Sequence, residues 1–220
     1  MPVIFSHSGP GFAVGVWHIT ESPHALAALC SQGDVWFQTA ISLPPLRQAQ
    51  YMAERVLLNQ LLPDLSSPDL RHTPEGMPYL ANCDVMVSFS HTRQLLAVEI
   101  SRKWAPGIDL EYPAPRVCRV VPRVTSEAER KLMFSTPALS PQLAATLLWC
   151  AKETLFKCSR GALQTIVQAN VTHIAPPPHC RLQAQYSTPE ASACPFTLAY
   201  VILPDTNGCV MTFRLPPAES

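Results

Sequence analysis

Four side chains carry most of the chemistry this sequence offers. Asp109 and Glu111 stand two residues apart in Gly107-Ile108-Asp109-Leu110-Glu111. On a strand, residues i and i+2 project to one face. Carboxylates that close raise each other's pKa unless a cation lies between them. A hard divalent cation with oxygen ligands, such as Mg²⁺, resolves that conflict; a solvent-facing strand edge has the same spacing. Glu153 and Lys157 follow in Trp149-Cys150-Ala151-Lys152-Glu153-Thr154-Leu155-Phe156-Lys157, where positions 149, 153 and 157 share one line of a helix. Glu before Lys at that spacing also describes a surface ion pair, worth about 0.3–0.5 kcal/mol. Trp149 in the same line places it beside a buried face.

Charge elsewhere is local. Arg47 and Arg55 lie two turns apart on one helix face, and Arg116, Arg119 and Arg123 near one face of a later helix. Both sets also fit solvated faces. His91 follows Ser90 at the end of an apolar strand, where either a polar turn residue or a ligand contact belongs. Sixteen basic residues balance sixteen acidic ones, so no global field draws nucleic acid or an anionic membrane. A polyanion held by this chain is small and gripped by a local cluster.

Several chemistries are excluded. The chain has no GxxxxGK[ST], HExxH or GxSxG. Gly9-Pro10-Gly11 is a poor phosphate loop, because Pro10 lacks the N–H that phosphate needs. His179-Cys180 lacks the partner spacing of a zinc site. Eight cysteines with no CxxC pair read as free thiols of a reducing cytoplasm. The first Lys or Arg is Arg47, so no basic n-region of an export signal is seen. No apolar run reaches the ~18 residues of a membrane span, and a cytoplasmic location is expected.

The elements that must position these residues are legible in outline. Gly11–Thr20 alternates as a strand, and Ser22-Pro23 opens a short helix through Cys30. Arg47–Leu62 has helical apolar spacing, stopped by Pro63. Val85–Ser90 and Leu95–Ser101 form a hairpin around a four-residue loop, His91–Gln94. Gly107–Glu111 makes a third strand, and Ser126 with Glu129 is a capping box for a helix from Glu127. Ser140-Pro141 starts a helix that ends near Gly161. Strand-like runs follow at Ala162–Ile174, Arg181–Tyr186, Pro195–Leu203 and Cys209–Arg214. Each half therefore mixes helices with mainly antiparallel strands, an α+β class.

Taken in order, Ser90-His91, Pro106-Gly107-Ile108-Asp109-Leu110-Glu111 and Trp149-x-x-Lys152-Glu153-x-x-x-Lys157 resemble the 4′-phosphopantetheinyl transferases. The type resembled is the two-lobed monomeric one related to the surfactin synthetase activator. The helix with Arg47, Tyr51, Ala53 and Arg55 is similar to that family's first-lobe segment, so the resemblance spans about residues 47–161. It implies two similar α+β lobes related by a pseudo-twofold, residues 1–104 and 105–220, with coenzyme A between them. It also implies transfer of 4′-phosphopantetheine from coenzyme A to a serine of an apo acyl or peptidyl carrier protein, releasing 3′,5′-ADP. In that reading Asp109, Glu111 and Glu153 hold Mg²⁺, and Glu153 helps deprotonate the serine. Lys157 stabilises or protonates the leaving group. Arg47, Arg55, Arg71, Ser90, His91, Lys152 and Lys157 contact coenzyme A.

Two departures from the family pattern stand out. Gly76-Met77-Pro78 occupies the place of Gly-Lys-Pro, and residues 1–46 contain no Lys or Arg. Either Arg71 substitutes for the missing lysine, or coenzyme A binds more weakly. Two rival readings accompany the transferase: a catalytically weak homologue that binds carrier protein or coenzyme A, and a Mg²⁺-dependent phosphohydrolase.

Overall fold

The computed structural model describes residues 3–65, 67–134, 138–188 and 191–217. The chain divides into two compact units, Met1–Trp104 and Ala105–Ser220. Both are α+β with antiparallel sheets. Among the described residues no helix is long and apolar enough to cross a membrane. All eight cysteines are free thiols.

The first unit is built on a four-stranded sheet in the order β1 (Val3–Gly9), β2 (Phe12–His18), β6 (Leu95–Ser101), β5 (Met86–Thr92). Across it lies α3 (Pro45–Leu61). Proline suits the first helical position, and Pro63 forbids helical geometry in the residue before it. Met52, Ala53, Val56 and Leu57 of α3 share one core with Leu96, Val98 and Ile100 of β6. Burying such side chains stabilises by about 1.5–3 kcal/mol for each large one. The ladder of β3 (Leu70–His72) with β4 (Pro78–Leu80) completes the unit with two short helices.

Three expectations change here. The helix opened by Ser22, whose Oγ accepts from the Ala25 N–H at 3.2 Å, ends at Ala27 rather than Cys30: α1 is Pro23–Ala27. A second helix, α2 (Gly33–Ala40), follows at once and packs against it. A Cβ at position 33 would lie 1.8 Å from the Ala27 carbonyl oxygen, so only glycine permits that approach. The hairpin is also tighter than expected. β5 runs on to Thr92, which pairs with Leu95, so only Arg93 and Gln94 turn the chain. His91 is therefore a strand residue opposite Leu96, not a loop residue.

The second unit carries a five-stranded sheet in the order β7 (Ile108–Glu111), β11 (Val210–Arg214), β10 (Ala191–Ile202), β9 (Arg181–Thr188), β8 (Ala169–Ala175). Its spine is α6 (Pro141–Cys158), capped by Ser140 Oγ accepting from the Leu143 N–H at 3.2 Å. Leu147, Leu148, Ala151 and Leu155 of α6 meet Leu182, Leu198, Tyr200 and Val210 of the sheet. The strand expected from Ala162 begins only at Ala169. Before it, Gln168 Oε1 accepts the N–H groups of Gln164 and Thr165 and winds one 3₁₀ turn. α4 (Pro115–Val124) turns Val117 and Val121 inward against Ala145 and leaves Arg116, Arg119 and Arg123 exposed. The capping box opens α5 (Glu127–Phe134) where the spacing of Ser126 and Glu129 indicated.

Candidate active site

β7 is brought against α6 by a glycine. A Cβ on Gly107 would lie 2.3 Å from the Thr154 carbonyl oxygen and 2.4 Å from Cys158 Sγ. That closeness sets β7 carboxylates beside the helical line of Glu153 and Lys157. Asp109 is only 7% exposed. Its Oδ1 accepts from Lys157 Nζ at 2.8 Å, and the same ammonium donates to the Ile108 carbonyl at 2.8 Å. The lysine that i,i+4 spacing offers to Glu153 thus reaches across to the strand.

Glu153 responds to this enclosure. Burial pushes its carboxyl above the usual glutamate range, the Asp109 charge pushes the same way, and Lys157 opposes both. The fully buried thiol of Cys150 is held far above its ordinary value, first by burial and then by the charge of Asp109. It remains a neutral thiol. Glu111 points to a different cation: its Oε2 accepts from Arg116 Nη2 at 2.5 Å and its Oε1 from the Tyr112 N–H at 2.8 Å.

Among the described residues, no three His, Cys, Asp or Glu side chains converge as a ready metal cage. Asp109 and Glu153 lie close enough for the Asp109 charge to raise the Glu153 carboxyl, and carboxylate oxygens are the donor type that a hard divalent cation takes. Lys157 and Arg116 supply the neutralising charge in this structure.

Lys152, which the resemblance places on coenzyme A, is engaged within the second unit. Its side chain is 0% exposed, and its ammonium reaches Glu129 Oε1 at 3.0 Å and Oε2 at 3.3 Å and also donates to the Ala169 carbonyl. Glu129 further accepts from the Val171 N–H at 3.0 Å and the Ser126 N–H at 2.8 Å. A buried charge persists only when it is paired and hydrogen-bonded in this way. The pair ties α5, α6 and β8 together. The second role of Glu129, beyond its cap, was not apparent from the capping box.

In the first unit, Arg47 of α3 donates from Nη1 to Gln50 Oε1 at 2.7 Å and lies 2.9 Å from His91 Nε2 of β5. Arg55, two turns on, is buried with its guanidinium 3.3 Å above the centre of the Tyr51 ring. Its Nη1 also donates to the Tyr51 carbonyl at 2.9 Å. Burial raises the carboxyl of Glu54 against the opposing pull of Arg55 and Arg47. Ser90 is buried opposite Ala97, and Arg71 is held by Asp69 through contacts of 2.7–3.2 Å. Sequence reasoning missed His72, which shares the face of Leu70 on β3 and feels both arginines. The alternation Leu70-Arg71-His72 contained that signal.

Burial and then the charges of Arg55 and Arg47 lower the His72 pKa. As pH falls through the ordinary histidine value of about 6.5, the unfolded chain takes up a proton that folded His72 refuses. Stability is therefore expected to fall in that window and to fall less in His72→Gln. Denaturant melts at pH 7.5 and 5.5 check this, and an equal loss in both proteins contradicts it.

A search of the curated proteins gives no match. Residues 105–206 match the family model of the 4′-phosphopantetheinyl transferase superfamily. Asp109, Glu111, Glu153 and Lys157 all lie inside that stretch, so the part of the chain that assembles the acidic cluster is also the part similar to a phosphopantetheinyl transferase domain.

Proposed function

We propose that this protein transfers 4′-phosphopantetheine from coenzyme A to a serine of an apo acyl or peptidyl carrier protein, with Mg²⁺ as cofactor. The observation that carries the reading is the part-buried meeting of Asp109, Glu153 and Lys157 within the stretch that matches the superfamily. Asp109, Glu111 and Glu153 hold the cation. When bound, it neutralises the pyrophosphate of coenzyme A and aligns it for in-line displacement.

The chain's own residues do the rest. Glu153 takes the proton from the serine hydroxyl. The serine oxygen bonds to the phosphorus that bears pantetheine, and the bond from that phosphorus to 3′,5′-ADP breaks. Lys157 stabilises the negative charge on the departing oxygen. Arg47, Arg55 and His91 of the first unit take phosphates of coenzyme A. The two compact units are the two lobes of the enzyme, which acts as a monomer.

Arg116, Arg119 and Arg123, exposed along α4, face the carrier. Reversing all three to Glu is expected to weaken carrier binding at least tenfold at low salt, because several rim charges change sign together. Titration calorimetry checks this, and unchanged affinity contradicts it. The reaction itself is tested by release of 3′,5′-ADP. Nucleotide is expected only when coenzyme A, Mg²⁺ and an apo carrier are all present. Release without a carrier indicates a phosphohydrolase instead.

A further inference from the structure

α6 meets the edge of the second sheet through three side chains on one stripe. Cys150, Thr154 and Lys157 follow one another at helical spacings of four and three residues. The Cys150 thiol donates to the Val210 carbonyl at 3.8 Å, the Thr154 hydroxyl to the Thr212 carbonyl at 3.2 Å, and the Lys157 ammonium to the Ile108 carbonyl at 2.8 Å. The hydroxyl oxygens of Thr154 and Thr212 also lie 2.6 Å apart, and both residues are fully buried. A threonine inside a helix commonly turns its hydroxyl to the carbonyl one turn back, as Thr146 of α6 does to Gln142 at 2.8 Å. Thr154 reaches across to β11 instead. Thr212 stands opposite Asp109 in the β11–β7 ladder, and Thr154 directly follows Glu153. The Thr154 carbonyl is also the point at which the helix closes on Gly107 of the chain entering β7.

We infer that Thr154 and Thr212 are a positioning pair for the transfer reaction: their hydroxyls fix the seat of α6 on β11, and so the placement of Glu153 and Lys157 against Asp109. The inference rests on the transferase reading given above, and on the roles of Glu153 and Lys157 in it. Apolar side chains at this contact attract without direction, so they hold the helix near the sheet but do not fix its rotation. A hydroxyl pair demands both distance and angle. Each hydroxyl also supplies the partner that the other needs when buried. Glu153 lies one residue from this clamp and Lys157 three, so a roll of α6 moves both. Neither threonine touches the reacting atoms in this reading; they act through their neighbours.

Thr154→Val combined with Thr212→Val removes both hydroxyls and keeps the side-chain shape. Taking the partners away together orphans neither hydroxyl, so the urea midpoint is expected to stay near the parent's. The kcat for phosphopantetheine transfer to an apo carrier is expected to fall about ten- to a hundredfold, with KM for coenzyme A unchanged. Thr212→Val alone keeps the Thr154 bond to the Thr212 carbonyl, and its kcat is expected to fall by less. Thr154→Ser combined with Thr212→Ser keeps both hydroxyls and is expected to restore kcat. Unchanged kcat in the folded valine variants overturns the positioning role, whatever happens to the urea midpoint. An equal loss in the serine and valine pairs also overturns it, because the hydroxyls are then not the cause. A parent chain that transfers nothing overturns the transferase reading itself, and the positioning role with it.

Discussion

Lys152→Met is expected to lower the unfolding free energy by about 3–5 kcal/mol, the cost of leaving one half of a buried pair behind. The ammonium is enclosed with no exposure, and Glu129 keeps only its two backbone donors once it is gone. Against a typical total of about 5–15 kcal/mol, that loss is a large fraction. The double variant Glu129→Leu, Lys152→Met removes both charges and is expected to recover most of the deficit. Urea denaturation followed by circular dichroism measures both. A loss below about 1 kcal/mol for Lys152→Met contradicts the buried pair, whose removal must cost more than that of an exposed one.

The second large effect concerns chemistry rather than stability. Asp109→Ala is expected to lower kcat/KM for phosphopantetheine transfer by about a thousandfold, or about 4 kcal/mol of transition-state stabilisation. Asp109 is a proposed cation ligand, and it also holds Lys157, the proposed partner of the leaving group. The fold is expected to survive, because Lys157 keeps the Ile108 carbonyl and the core of α6 lies elsewhere. Wild-type circular dichroism with lost activity is the expected outcome. A loss of less than tenfold contradicts the assignment.

Caps and stripes made much of this molecule readable in advance. Ser140 with Leu143, and Ser126 with Glu129, fix where α6 and α5 begin, because orphan N–H groups at a helix start need an acceptor within three residues. β5 showed through its alternation and β6 through the apolar run Leu95–Val98. α2 did not, since its five-residue neighbour α1 and the close approach at Gly33 depend on packing that no local pattern records. His91 was read as a loop residue because the strand extends to Thr92 under the control of a two-residue turn.

The site was legible by residue type and less so by partner. Spacing placed Glu153 and Lys157 together, but nothing local showed that Gly107 lets β7 approach closely enough for Asp109 to take the lysine. Lys152 carried a neglected signal. It lies four residues after Leu148 and three before Leu155, both fully buried, so the helical stripe passes through it. A lysine in such a stripe needs an internal carboxylate, and Glu129 supplies it.

The most direct measurement is the intact mass of a purified apo carrier protein after incubation with this protein, coenzyme A and Mg²⁺. The transferase account requires the carrier to gain one phosphopantetheine group, and to gain none when Asp109→Ala or Glu153→Ala replaces the parent chain. A carrier whose mass is unchanged by the parent chain, across acyl and peptidyl types, would contradict it.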